Sequence, residues 1–228
     1  MAQPRRLDAR TVLTAVGLAA VTVAAWVEVV AAGESMNENA AAFLGAWTVM
    51  MAAMMLPSAA PLVLLYARGR GGGGSAALLA GGYLVVWAAV GAVAFLVDRA
   101  DPPAALGAAV LAAAGLYQFT PLKVACLERC RSPHAFLLAH WHSGGVGAVR
   151  LGVEHGAFCL GCCWALMAVL VAAGSMGLAW VVGIAAVVFA EKILPGGDRL
   201  ARALGVVLFV LAAVAAVDPG LIGIGGGM

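Results

Sequence analysis

The sequence has little charge, and this scarcity excludes most classes of soluble protein. Only 11% of its 228 residues are charged, whereas 64% are hydrophobic. A soluble globular domain carries roughly 25% charged residues because its surface faces water. The basic residues are scattered and the net charge is only +2, so we predict no nucleic-acid partner. The composition predicts a protein whose main solvent is the lipid bilayer.

The chain also lacks the short motifs of common enzymes. It contains no Gly-x-Ser-x-Gly, no His-Glu-x-x-His and no phosphate-binding loop, so hydrolase and nucleotide chemistry have no support. The cysteines are odd in number and fall into two local groups, which is not the pattern of a secreted disulfide framework. Binding is therefore favoured over catalysis, although the sequence does not decide the question.

Long apolar runs predict an all-α, polytopic transmembrane helix bundle that forms a single domain over residues 1–228. A helix needs about 20 apolar residues to cross a hydrocarbon core of roughly 30 Å. The runs lack the alternation of a membrane β-barrel and are rich in small residues, which let membrane helices approach closely. About seven spans are predicted, near residues 11–32, 43–67, 76–97, 104–120, 151–173, 178–194 and 200–217.

The basic residues predict the orientation of these spans. Short cytoplasmic loops retain Lys and Arg, and if the N-terminus is inside, only Arg99 among the basic residues falls on the outer side. We therefore predict a multi-pass protein of the cytoplasmic membrane with its N-terminus in and its C-terminus out. A Cys- and His-rich loop, 121–150, then lies on the inner side.

One helix face of the fifth span carries three kinds of soft ligand. His155, Cys159, Cys162 or Cys163, and Met167 follow one another at about one helical turn and therefore share a face. Cysteine or methionine alone is an ordinary packing residue of a helix bundle. An ionisable side chain at membrane depth, however, is costly and indicates a functional site. We interpret the combination as a metal-binding stripe.

Four methionines of the second span form two pairs with a four-residue spacing. Met50 with Met54, and Met51 with Met55, can each stack two thioethers on one face above a proline kink. Thioethers and thiolates are soft donors that select Cu(I) over hard cations. The alternative is flexible packing beside the kink. Because these methionines and the cysteines of the fifth span both lie near mid-span, we predict that they meet at one level.

A third group of donors lies on the predicted inner loop. Cys126 and Cys130 are four residues apart, which places two thiols on one face of a helix, and His134, His140 and His142 follow. Neighbouring arginines favour the thiolate, the form that binds metal or attacks disulfides. The alternative is that this basic loop only sets topology and contacts lipid headgroups. We predict a port that exchanges metal with a soluble donor or acceptor protein.

Charged residues within the spans are few. Glu191 and Lys192 lie near the inner end of the sixth span, close enough to the interface to reach water. We interpret them as structural residues that pair across neighbouring helices.

Three blocks of the sequence, at 50–57, 117–133 and 159–164, closely resemble a bacterial family of predicted metal-binding integral membrane proteins. That family is catalogued as a domain of unknown function and is sometimes labelled copper chaperone. The resemblance extends over residues 47–204, which is most of the chain. It implies metal binding in a bacterial cytoplasmic (inner) membrane and supplies no established reaction.

Three functions remain open after these observations. The favoured one is a membrane protein that binds a soft transition metal, above all Cu(I), for transport, chaperoning or delivery. The second is a thiol–disulfide relay between the pairs Cys126/Cys130 and Cys162/Cys163. A reducing inner compartment, and methionines that have no role in a relay, count against it. The third is a membrane scaffold for a partner protein.

Overall fold

The computed structural model describes residues 9–32, 39–69, 72–100, 103, 105–173 and 177–218. These residues form helices and turns and no strand, which confirms the predicted all-α class. The helices are α1 (Ala9–Ala32), α2 (Ala40–Arg68), α3 (Gly72–Arg99), α4 (Ala105–Tyr117), α5 (Pro121–Arg131), α6 (Pro133–Ala139), α7 (Gly144–Ala172), α8 (Leu178–Ile193) and α9 (Gly197–Val217).

Five of these helices, α1, α2, α3, α7 and α9, are long and apolar enough to cross a membrane. The consecutive helices α4 and α5 provide a sixth crossing if they form one span that bends by 68°. Helix α8 has only 16 residues, fewer than the about 20 that a full crossing needs. The predicted count of seven and the orientation are therefore not confirmed. Arg5, Arg6, Arg70 and the chain after residue 218 lie outside the described residues.

The segment 121–150, predicted as a loop, folds mostly into helix. Helix α5 begins after Thr120, whose side chain accepts a hydrogen bond of 3.2 Å from the backbone N–H of Lys123 and thus caps the helix. Helix α6 follows a break at Ser132, and α7 begins at Gly144, ahead of the predicted 151. The hydropathy of this segment did not indicate helix α5, because exposed charged residues alternate with buried residues along the helix.

Close packing of α3 against α7 positions the centre of the bundle. A Cβ added at Gly82 would overlap the carbonyl oxygen of Val149, and one added at Gly152 would overlap that of Leu79. Glycine at both positions lets the two backbones approach directly. Helix α5 packs on α7 and α8, and α2 packs on α3 and α8. The interior of the bundle is consequently lined by α2, α3, α5, α7 and α8.

Candidate metal centre

Helix α7 presents three buried thiols as one group. The sulfur atoms of Cys159, Cys162 and Cys163 all lie within 4.8 Å of one another, and the residues are at most 1% exposed. Helical periodicity explains the grouping, since residues three and four apart share a face. The thiols of Cys162 and Cys163 donate to the carbonyl oxygen of Cys159, at 3.1 and 3.0 Å. Three soft donors this close together suit a thiophilic metal ion.

The two cysteines of α5 lie in the same neighbourhood. Helix α5 packs on α7, and Cys126 and Cys130 belong to the same buried core as the three thiols of α7. The sulfur of Cys126 also lies only 2.7 Å from the point that a Cβ on Gly161 would occupy. Both α5 cysteines are buried. All five cysteines therefore lie in one buried region, here called the thiol cluster, and the predicted port consists of buried residues on a helix that packs against the α7 thiols.

Cys159 receives polar contacts from two other helices, α8 and α3, and each of these contacts continues to α2. The ammonium of Lys192, on α8, donates to the sulfur of Cys159 at 2.9 Å and to the hydroxyl oxygen of Ser58, on α2, at 3.0 Å. The hydroxyl of Tyr83, on α3, lies 2.9 Å from the same sulfur and 3.5 Å from the carbonyl oxygen of Met55. All of these groups are buried. Cys159 is thus the point at which α2, α3, α7 and α8 converge.

A buried ion pair stands beside the thiol cluster. Glu191 accepts a hydrogen bond of 2.6 Å from Lys123, and the two side chains are 1% and 0% exposed. This contact joins α8 to α5 and confirms that Glu191 pairs across helices. Lys192 was interpreted in the same structural sense, but it contacts a cysteine of the candidate site. The signal that could have revealed it is a charge within an apolar helix, which must find a partner.

The methionines predicted as ligands are buried in the same core as the thiol cluster. Met50, Met51, Met54 and Met55 are at most 2% exposed, and so is Met167, one turn beyond Cys163. The polar groups of α2 that connect to Cys159, however, are the hydroxyl of Ser58, through Lys192, and the backbone carbonyl of Met55, through Tyr83. Helices α3 and α8 each pack against both α2, which carries the methionines, and α7, which carries the three thiols. These contacts connect α2 to α7 through other helices, so direct contact between thioethers and thiols remains a prediction.

His155 is buried one turn before Cys159 but is not in the group of three thiols. Its ring packs against Tyr83 and Phe136, with centroid distances of 5.7 and 5.0 Å. Its Nδ1 atom has no hydrogen-bond partner within the described residues. His142, of the predicted inner loop, approaches Glu154 at 3.3 Å instead of a thiol. His155 is therefore the histidine whose burial and unpaired nitrogen fit a role next to the cluster.

The fold and the centre together define a class: an all-helical, strongly apolar protein with soft metal donors in its core. The family described as PpoB2, copper chaperone, matches residues 44–215. The chain belongs to this family, which confirms the resemblance drawn from the sequence blocks. Comparisons with curated proteins and with solved structures give no match. The matched residues include the whole thiol cluster, the four methionines of α2 and Lys192.

Proposed function

We propose that this protein binds Cu(I) as its cargo at the thiol cluster, within a membrane, and holds it for transfer. The observation that carries the proposal is the set of three buried α7 thiols within 4.8 Å. Thiolates are soft ligands that favour Cu(I) over hard cations. Membership of a family described as copper chaperone supports the same ion.

The buried position of the thiol cluster supports the choice of a monovalent ion. An isolated charge in an apolar interior is prohibitively costly, but each bound thiolate cancels the charge of one Cu(I). A thiol must lose its proton to bind metal, so the charge of the incoming Cu(I) replaces the charge of the departing proton. Thioethers of α2, Met167 and the imidazole of His155 supplement the thiols in this proposal, since they are neutral donors in the same buried region.

The surface of α1 supports a lipid environment. This helix is strongly apolar, with Arg10 and Glu28 as its charged residues, yet only Thr11 and Ala25 among its residues are buried. Leu13 and Val16 are 71% and 60% exposed. Water-soluble monomers rarely leave such a continuous apolar surface uncovered. We therefore propose that the bundle lies in the bacterial inner membrane, with lipid against this face.

The proposed orientation has the N-terminus and residues 121–150 inside and the C-terminus outside. A reporter that is active only outside the cytoplasm should be active when fused after Met228, because the bulk of the basic residues then stays inside. The same reporter inserted next to Ser143, between α6 and α7, should be silent. Activity at Ser143 and silence at the C-terminus would reverse the assignment.

Removal of the α7 thiols tests the proposed cargo. Detergent-purified protein is loaded with Cu(I) under reducing conditions, and bound copper is measured by elemental analysis. We expect wild type to retain copper, and Cys159→Ser and the double variant Cys162→Ser/Cys163→Ser to lose most of it, because a hydroxyl is a hard and weak donor for Cu(I).

Ala165→Ser is the matched control for these variants. Ala165 is a buried residue of α7, 1% exposed, so its replacement adds a hydroxyl to the same helix without removing a thiol. This control should keep its copper. Undiminished copper in the folded cysteine variants would refute the site.

The double variant Cys126→Ser/Cys130→Ser tests the proposed port independently of the α7 site. A slower rate of copper loading supports the port, and an unchanged rate together with unchanged copper content excludes it.

Alkylation of the cysteines in isolated membranes distinguishes the metal site from the thiol–disulfide relay. All five cysteines are free and buried in the structure, and a metal site predicts that all five become alkylated once copper is removed and the chain is denatured to expose them. A relay predicts a fraction of chains with two cysteines protected as a disulfide. A scaffold predicts free thiols together with no bound copper in wild type.

A further inference from the structure

The buried centre contains more cations than carboxylates. Lys123 and Glu191 balance each other at 2.6 Å, but within the described residues no carboxylate lies in ion-pair range of Lys192. Its ammonium donates instead to the neutral hydroxyl of Ser58 and to the sulfur of Cys159. A buried charge without a counter-charge is strongly unfavourable. The sulfur of Cys159 is the group within reach that can supply the negative charge.

The charge of Lys192 limits the number of thiolates that the centre can hold with one copper ion. Two thiolates with one Cu(I) carry a net charge of minus one, which the ammonium cancels. Three thiolates would leave one negative charge in excess, and one thiolate would leave the ammonium unbalanced. A divalent ion on the same two thiolates would also leave a positive charge. Electroneutrality in a buried, apolar centre therefore favours two thiolates and a monovalent ion.

We propose that Lys192 is a positioning residue of the metal centre, whose ammonium is the counter-charge of a two-thiolate Cu(I) complex that includes Cys159. This inference rests on the proposed function. Cys162 or Cys163 supplies the second sulfur, since both lie within 4.8 Å of Cys159. Ser58 accepts a second hydrogen bond from the same ammonium, at 3.0 Å, which helps to hold the charge beside the complex.

The competing explanation is that Lys192 only ties α8 to α2 and α7 through its two hydrogen bonds. Charge and hydrogen bonding can be separated at this position. Lys192→Arg keeps the positive charge and the donors, whereas Lys192→Gln keeps donor groups and removes the charge. Ser58→Ala removes one hydrogen bond and leaves the charge in place.

The experiment measures the Cu(I) affinity of each folded variant by competition with a chelator of known affinity, together with its thermal stability. For Lys192→Gln we expect an affinity loss of about 10–100-fold, the range found when groups that support metal ligands are changed. Lys192→Arg should stay close to wild type, and Ser58→Ala, which removes one hydrogen bond but keeps the charge, should lose less affinity than Lys192→Gln. Equal affinities of Lys192→Gln and Lys192→Arg would overturn the proposal, whatever their stabilities.

X-ray absorption at the copper edge of the wild-type protein adds a test that needs no variant. At least two sulfur neighbours per copper are expected, since a neutral thioether can add to the two thiolates without changing the charge, and fewer than two would overturn the two-thiolate complex. Failure of wild type to bind Cu(I) is a different outcome, because it refutes the proposed function itself. Copper bound by wild type with fewer than two sulfur neighbours, or with the same affinity whether residue 192 is charged or neutral, refutes only this inference.

Discussion

Replacement of Lys123 by methionine is expected to lower the free energy of unfolding by about 3–5 kcal/mol, the cost of leaving a buried charge without its partner. The carboxylate of Glu191 is 1% exposed and its Oε1 atom has no hydrogen-bond partner within the described residues. Water and salt cannot replace the lost ammonium at such a site. Thermal unfolding in detergent measures the loss, and copper retention measures its effect on α5 and its two cysteines.

Two comparisons isolate the ion pair as the cause. The double variant Lys123→Met/Glu191→Met removes both charges and should recover much of the lost stability, because an apolar pair of similar size replaces the ion pair. Arg202→Met breaks the pair with Asp198, which is also 2.6 Å long but has side chains that are 58% and 41% exposed. Exposed pairs contribute little, so Arg202→Met should resemble wild type. Equal losses in Lys123→Met and Arg202→Met would contradict the prediction.

Gly82→Ala is expected to cost about 3 kcal/mol, at the upper end of the usual cost of overpacking. The added methyl group would overlap the backbone carbonyl oxygen of Val149, and a backbone atom cannot rotate out of the way as a side chain can. Helix α7 would have to move away from α3. Because Tyr83 follows directly in the chain and contacts the sulfur of Cys159 at 2.9 Å, the thiol cluster should lose copper affinity as well as stability.

Gly81→Ala is the matched control, one residue away on the same helix. A Cβ at Gly81 would meet no atom within 4 Å, and alanine favours helix more than glycine does by about 1 kcal/mol. This variant should be at least as stable as wild type, with unchanged copper binding. Similar destabilisation of Gly81→Ala and Gly82→Ala would show that the helix tolerates no change there at all, and that close packing on α7 is not the reason.

The sequence predicted the parts of the site that lie on one helix. Cys159, Cys162 and Cys163 form a group because the helical repeat places them on one face, and the structure has their sulfurs within 4.8 Å. It did not predict that Cys126 and Cys130 join them. That association depends on the contact of α5 with α7, and the spacing of residues within a segment carries no information about which other segment packs on it.

The role of Lys192 was missed for a related reason. A lysine next to a glutamate near a span end is typical of a structural ion pair, and Glu191 does form one with Lys123. Adjacent residues on a helix point about 100° apart, however, so the two charges face different neighbours. Glu191 faces α5, whereas Lys192 faces the sulfur of Cys159. Only the positions of the surrounding helices decide which neighbour each side chain meets.

Composition and periodicity by themselves determined that this chain is helical, apolar and rich in soft donors. These properties depend on residue type and on residues close together in the sequence. The tertiary structure alone decided that the cysteines of two helices are buried in one region and that the ammonium of Lys192 contacts one of them. Those contacts join residues far apart in the chain, such as Ser58 and Lys192. Glycines at the α3–α7 contact and the Lys123–Glu191 pair are among the features that hold the helices in this arrangement.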